Sequence, residues 1–264
     1  MEVLPDDCIA HILSLTSPQD VGKHSVISSM ARSRANSDTI WDKFLPHDYQ
    51  QILSRLLIPL LYSSKKDLFL NLCKPHLIDQ GNKMFSIQKS TGKICYMLSA
   101  RELSIEWGSS PLYWSWKPLR SSRFAQVAEL RTISWLEIRG SIHTHALSPR
   151  TIYGAYLIVK IADRAYGLDS LPSEVSVEVG NFKSKATVYV RSPLKQASKG
   201  NEEVACRNRE DEWLEIELGS FFNEGEDNSQ VRMCLKEVKG VHLKAGLIVE
   251  GIEIRPISLD QAFT

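Results

Sequence analysis

The sequence has too few cysteines, and too scattered, to build a disulfide framework. Cys8, Cys73, Cys95, Cys206 and Cys234 are odd in number and contain no Cys-x-x-Cys pair, which excludes a structural zinc ribbon and predicts reduced thiols. It also has no long apolar run. The longest, Leu53 to Tyr62, is broken by Arg55 and Pro59 and falls far short of the ~20 residues a membrane span needs. Met1 to Ala10 carries Glu2, Asp6 and Asp7 where a secretory leader would carry basic residues, so a cytoplasmic or nuclear protein with no membrane partner is expected. Charge of either sign is nearly cancelled: 32 basic against 31 acidic residues leave +1, too little to steer nucleic acid. No Gly-x-Ser-x-Gly, P-loop or dinucleotide fingerprint is present, and no catalytic constellation emerges, so a non-enzyme without a cofactor is expected. His143-Thr144-His145 offers two metal ligands with no third at a recognised spacing, which reads as a polar turn and no metal site.

What is present is ordinary globular composition, 43% hydrophobic and 24% charged, over 264 residues, enough for two modest cores. The first third has helical periodicity. Pro5, with Asp6 and Asp7 behind it, suits a first helical turn, and Ile9, Ile12 and Leu13 then form one apolar stripe. Ser17-Pro18-Gln19-Asp20 is a second start, with Asp20 at the capping-box position. Ser37-Asp38 opens a third helix through Ile40, Trp41, Phe44 and Leu45 to Pro46; further helix is expected over Asp48–Leu57 and after Ser64-Lys65-Lys66-Asp67.

Leu4-Pro5-Asp6-Asp7-Cys8-Ile9, Thr16-Ser17-Pro18-Gln19-Asp20, Asn36-Ser37-Asp38-Thr39-Ile40-Trp41 and Phe44-Leu45-Pro46-His47-Asp48-Tyr49 resemble the F-box of plant phloem-lectin-type F-box proteins. The resemblance implies docking to the Skp adaptor of a Skp–cullin–F-box ubiquitin ligase, with Leu4, Pro5, Ile9, Ile12 and Leu13 facing the adaptor and Trp41 near the end of the grip. One departure stands out. Ser28-Ser29-Met30-Ala31 lacks the bulky residue that the family pattern has where Ala31 stands, which predicts a weakened grip.

From about Lys83 the period changes to two. Phe85–Gln88 and Ile94–Leu98 flank a Gly92-containing turn, and strands are expected at Phe124–Leu130, Thr132–Arg139, Ile152–Ile161, Glu174–Val179, Ala186–Arg191, Trp213–Leu218, Val231–Glu237 and Leu247–Arg255. Short strands without a long helix predict an antiparallel sandwich, and so an α+β chain overall. The expected domains are a helical segment over 1–48, a helical connecting stretch over 49–82 and the β-sandwich over 83–258. Lys195–Arg209 reads as a surface loop. Trp135-Leu136-Glu137-Ile138 recurs as Trp213-Leu214-Glu215-Ile216, two similar strands whose tryptophans are assigned to the core.

The densest aromatic cluster runs from Trp107 to Trp116. If Trp114 and Trp116 lie in a strand, they project to one side. An indole joins a flat apolar face to one donor, which suits the apolar face of a pyranose, and Glu106, Ser109 and Ser110 are near to meet hydroxyls. Ser99 to Trp107, Tyr113 to Leu119, Ser122 to Ala128, Trp135 to Gly140, Tyr153 to Leu157, Tyr166 to Asp169 and Gly246 to Pro256 resemble the phloem protein 2 lectin domain, the family that includes the tobacco lectin Nictaba. The resemblance implies binding of N-acetylglucosamine-containing glycans or glycoproteins through Trp107 and Trp114. Trp116 is added from the strand argument. The expected function is a substrate-recognition adaptor of a ubiquitin ligase. The alternative is a stress-related lectin whose F-box no longer engages the ligase.

Overall fold

The computed structural model describes residues 6–190, 206–225 and 228–257; Leu4, Pro5 and residues 195–205 of the expected loop lie outside these. The chain forms two compact units, one reaching to Gln80 together with Met84–Cys95, the other comprising Gly81–Lys83 and the chain from Tyr96.

Among the described residues, six short helices build the first unit: α1 (Asp6–Ser14), α2 (Pro18–His24), α3 (Ser29–Ala35), α4 (Asp38–Phe44), α5 (Tyr49–Ser54) and α6 (Lys65–Leu72). Their starts follow cap chemistry. The Ser17 hydroxyl accepts from the Asp20 amide at 3.1 Å, the cap bond its spacing predicts, and donates to the Asp20 carboxylate at 2.7 Å. Ser28 and Ser64 cap α3 and α6 by accepting from the Ala31 and Asp67 amides. Ser37, in contrast, makes no cap bond to α4 and pairs with the Thr39 hydroxyl. Helix α3 buries only Ala31 and Ala35, which is why apolar periodicity passes over it.

Trp41 is the pivot of this unit. Its indole donates to the Ala35 carbonyl at 2.7 Å and packs against Phe44 and Phe69, with ring centres 5.8 and 5.1 Å away. Val21, Ile40, Ile52, Leu68, Phe69 and Leu72 complete the core. Residues 49–80 group with the helices before them in one compact unit. Arg55 clamps Asp79 through two 2.8 Å bonds, and Leu57 donates to Leu77 in the short strand β1 (His76–Ile78). Strands β2 (Lys83–Ile87) and β3 (Ile94–Ser99) follow, joined by the expected turn, where Gly92 takes φ +73° and donates to Gln88.

The second unit is an antiparallel sandwich, as alternation predicts. Its strands are β4 (Ser104–Ile105), β5 (Trp114–Lys117), β6 (Val127–Leu130), β7 (Leu136–His143), β8 (Thr151–Tyr166), β9 (Ser173–Val179), β10 (Phe182–Val188), β11 (Arg207–Asn208), β12 (Leu214–Asn223), β13 (Gln230–Glu237) and β14 (Ala245–Pro256). One sheet runs β3-β14-β8-β12-β11, with β6 also on β14 and β5 on β6; the other runs β10-β9-β13-β7-β4. Close sheet packing is built into Gly140, where a Cβ would lie 2.7 Å from Ile252 Cδ1 of the facing sheet. The inner faces bury Tyr153, Leu157, Val175, Val177, Ile216, Val231, Leu235, Leu247 and Ile252.

Two ion pairs of the sandwich bury at least one charged partner completely. Glu250, fully buried, receives the Arg123 backbone amide and guanidinium and the Ser122 hydroxyl. Lys244, 1% exposed, meets Glu237 and donates to the Ser134 and His242 carbonyls. His143 closes β7, and Thr144–Ala146 turns the chain as expected, with Asn223 donating to the Thr144 carbonyl at 3.1 Å.

Candidate functional site

The aromatic cluster lies where β4 leaves the sandwich and β5 returns. Glu106 donates to the Glu137 carbonyl at 2.9 Å, after which the chain turns through Trp107, held at φ +58°. The loop folds on itself through bonds from Ser110 to Trp107 and from Trp114 to Ser110. β5 then pairs with β6, setting Trp114 opposite Leu130 and Trp116 opposite Ala128.

The three tryptophans expected to carry sugar recognition have different fates. Trp114 is 2% exposed and its Nε1 donates to the Glu106 carbonyl at 3.0 Å, so neither its face nor its donor is open to a ligand. Trp116 is half-buried. Its Nε1 donates to the Gly108 carbonyl at 2.8 Å, and the Arg101 guanidinium lies 3.6 Å from its ring centre. Trp107 is 54% exposed and leans against Tyr113 with ring centres 5.8 Å apart, and its indole N–H has no bond among the described residues. Trp107, with Tyr113 beside it and exposed Leu112, is therefore the open platform; Trp114 and Trp116 anchor the loop that presents it.

Trp135, assigned to the core from its strand context, is instead 50% exposed and donates to the Glu137 carboxylate at 3.0 Å. It alternates with Glu137 and Arg139 on the outer face, while Leu136 and Ile138 point inward; the neighbouring charges were the signal for that choice of face. Trp213, in the same tetrapeptide pattern, is buried and donates to the Ser121 carbonyl.

On the helical unit the expected docking residues also divide. Leu4 and Pro5 lie outside the described residues, Ile9 is half-buried and Ile12 is open. Leu13 is buried, and Trp41 is 3% exposed, its donor taken by the Ala35 carbonyl and its ring packed against Phe44 and Phe69. A different aliphatic set is open to solvent. Ile12 of α1, Leu15 just after it, Val26 and Ile27 between α2 and α3, and Met30 of α3 are 51–74% exposed, and α1 and α3 pack against each other. Ala31 points the other way, buried among the helices, so its short side chain concerns internal packing and not this face. Among the described residues no cluster of His, Cys, Asp or Glu is arranged to hold a metal, and no helix is long and apolar enough to cross a membrane.

A small helical unit with exposed aliphatic side chains, followed in sequence by an antiparallel sandwich that carries an exposed indole, defines a two-part α+β chain. Residues 93–256 match the phloem protein 2 family. The chain is 45% identical to F-box protein PP2-B15 of Arabidopsis thaliana over 96% of both chains, and 42% identical to F-box protein PP2-B10 over 97% of this chain and 93% of that one. It is also 43% identical to the Arabidopsis F-box protein VBF over 97% and 99% of the two chains. The chain belongs to the phloem protein 2 family of plant F-box proteins.

Proposed function

We propose that this protein is the substrate-recognition adaptor of a Skp–cullin–F-box ubiquitin ligase, non-catalytic itself, working in the cytoplasm or nucleus. Its helical unit docks a Skp-type adaptor, and its sandwich binds N-acetylglucosamine-containing glycans or glycoproteins. The observation that carries the reading is the exposed set Ile12, Leu15, Val26, Ile27 and Met30. Apolar side chains this large and this open, on a unit with its own complete core, favour a protein partner. Leu4, Pro5 and Ile9 extend the proposed docking set, while Leu13 and Trp41 support it from within.

For the glycan, Trp107 supplies the stacking face, Trp114 and Trp116 hold its loop, and Glu106, Ser109 and Ser110 are the nearest polar partners in the chain. The alternative, a lectin detached from the ligase, drew on Ala31. That methyl is buried away from the aliphatic face, which favours the adaptor reading.

The test is co-purification of the full chain with a Skp-type adaptor, followed by glycan-array screening of the complex. A stable complex that captures N-acetylglucosamine-containing glycans supports the proposal. No adaptor retained above background removes the ligase role; no glycan signal removes the lectin role.

A further inference from the structure

The outer face of the five-stranded sheet forms a trough of about 420 Å³, within the ~300–1,000 Å³ range of small-ligand sites. Strand register explains its shape. One row across the sheet sets Lys183 beside Glu178, Glu178 beside Arg232 and Arg232 beside Ser141. A parallel row sets Glu174 beside Lys236 and Lys236 beside Glu137. Between these rows of long side chains, the register pairs Ser176 with Cys234, and the two small residues leave a floor.

The trough is charge-balanced. Glu102, Glu137, Glu174 and Glu178 face Arg139, Lys183, Arg232 and Lys236, so its lining carries no net charge. The carboxylates are already held: Glu137 by Arg139 at 2.6 Å, Glu174 by Lys236 at 3.1 Å, and Glu178 by Lys183. Each group keeps further hydrogen-bonding capacity, since a carboxylate accepts about four bonds and an ammonium donates three. Donors and acceptors therefore alternate along walls fixed by mutual pairing. Such a lining disfavours phosphate or an acidic peptide and matches vicinal hydroxyls, each of which both donates and accepts.

At the Glu137 corner stands the half-exposed Trp135 indole, held by its bond to that carboxylate. Glu106 bonds the Glu137 backbone at the same corner, so the Trp107 loop leaves the sheet next to Trp135. From this arrangement we infer that the trough, with Trp135 as its stacking face, binds a neutral saccharide chain, one sugar packing on Trp135 and the next residues lying over Ser176 and Cys234. The inference rests on the reading of the sandwich as a glycan-binding unit and adds an extended subsite beyond Trp107.

Screening the full chain on an array of neutral and acidic glycans selects the tightest neutral probe, which is then titrated by calorimetry into wild type, Trp135→Ala, Trp135→Phe, Arg139→Ala and Trp107→Ala. The expected result is an affinity loss of at least tenfold for Trp135→Ala, partial rescue by Trp135→Phe and at least threefold loss for Arg139→Ala, with unchanged melting temperatures. At saturating glycan, acrylamide quenching of tryptophan fluorescence should fall further in wild type than in Trp135→Ala, where only Trp107 remains to be shielded. If Trp135→Ala and Arg139→Ala both bind like wild type while Trp107→Ala loses binding, the trough is overturned and the Trp107 site stands. If wild type binds only acidic glycans, or none, the trough is overturned as well, and in the second case the glycan reading falls with it.

Discussion

The Arg123 guanidinium reaches a carboxylate 127 residues away: its Nη2 lies 2.5 Å from Glu250 Oε2, and Glu250 is fully buried in β14. Ser122 and the Arg123 amide converge on the other carboxylate oxygen, so the segment before β6 is pinned to the central strand of the larger sheet. Removing the guanidinium leaves the buried carboxylate only the Ser122 hydroxyl and the backbone amide, which costs about 3 kcal/mol. Arg123→Ala is expected to lower the unfolding free energy by that amount in urea titration. The double variant Arg123→Leu with Glu250→Leu should recover much of the loss.

The docking face allows a sharper separation of stability from binding. Ile27 and Met30 are solvent-exposed, so Ile27→Asp and Met30→Asp should change stability by no more than about 0.5 kcal/mol. Adaptor capture by the double variant should drop at least tenfold. Enlarging Ala31 instead, as Ala31→Phe, should lower the melting temperature, because that position is packed within the helices.

Two tryptophans seven residues apart should behave in opposite ways. Trp114→Ala removes a buried ring and the bond that ties Glu106, at a cost of about 3–5 kcal/mol to the sandwich. Trp107→Ala should leave the melting temperature in place and reduce glycan binding, read by thermal denaturation beside array signal.

Thiol chemistry gives a pH-dependent prediction. Burial pushes the Cys73 thiol from 9.0 up to about 11, whereas Cys8 is exposed. At pH 8 roughly one part in a thousand of Cys73 is thiolate, so a disulfide reagent should label Cys8 first and Cys73 only on unfolding. Because the folded value lies above the ordinary one, the contribution to stability is complete below pH 9.0 and is lost as pH rises through about 11. Cys73→Ala should flatten that part of the alkaline stability curve relative to wild type.

Much of this architecture could be read from local chemistry. Ser17 and Asp20 announce α2 because the cap is made by residues three apart, and Leu214, Ile216 and Leu218 announce β12 because a strand alternates. Tertiary placement was less accessible. Trp135 and Trp213 head the same Trp-Leu-Glu-Ile pattern, yet one indole faces solvent and the other the Ser121 carbonyl. Periodicity says that neighbours point to opposite sides; which side is covered depends on the opposing sheet. Trp41 and Leu13 show the same limit, since their apolar character does not distinguish an internal seam from a docking face. The trough was invisible for a related reason: its floor and walls come from strands far apart in sequence and meet only through register.

The indole N–H groups of Trp114 and Trp116 both end on carbonyls of the segment that carries Trp107. That segment consequently inherits the rigidity of the sandwich interior, and little ordering remains to be done when a partner arrives. Tight capture of a small, weakly interacting guest then becomes feasible without a large contact area, and lengthening the segment by even one residue would sacrifice that advantage.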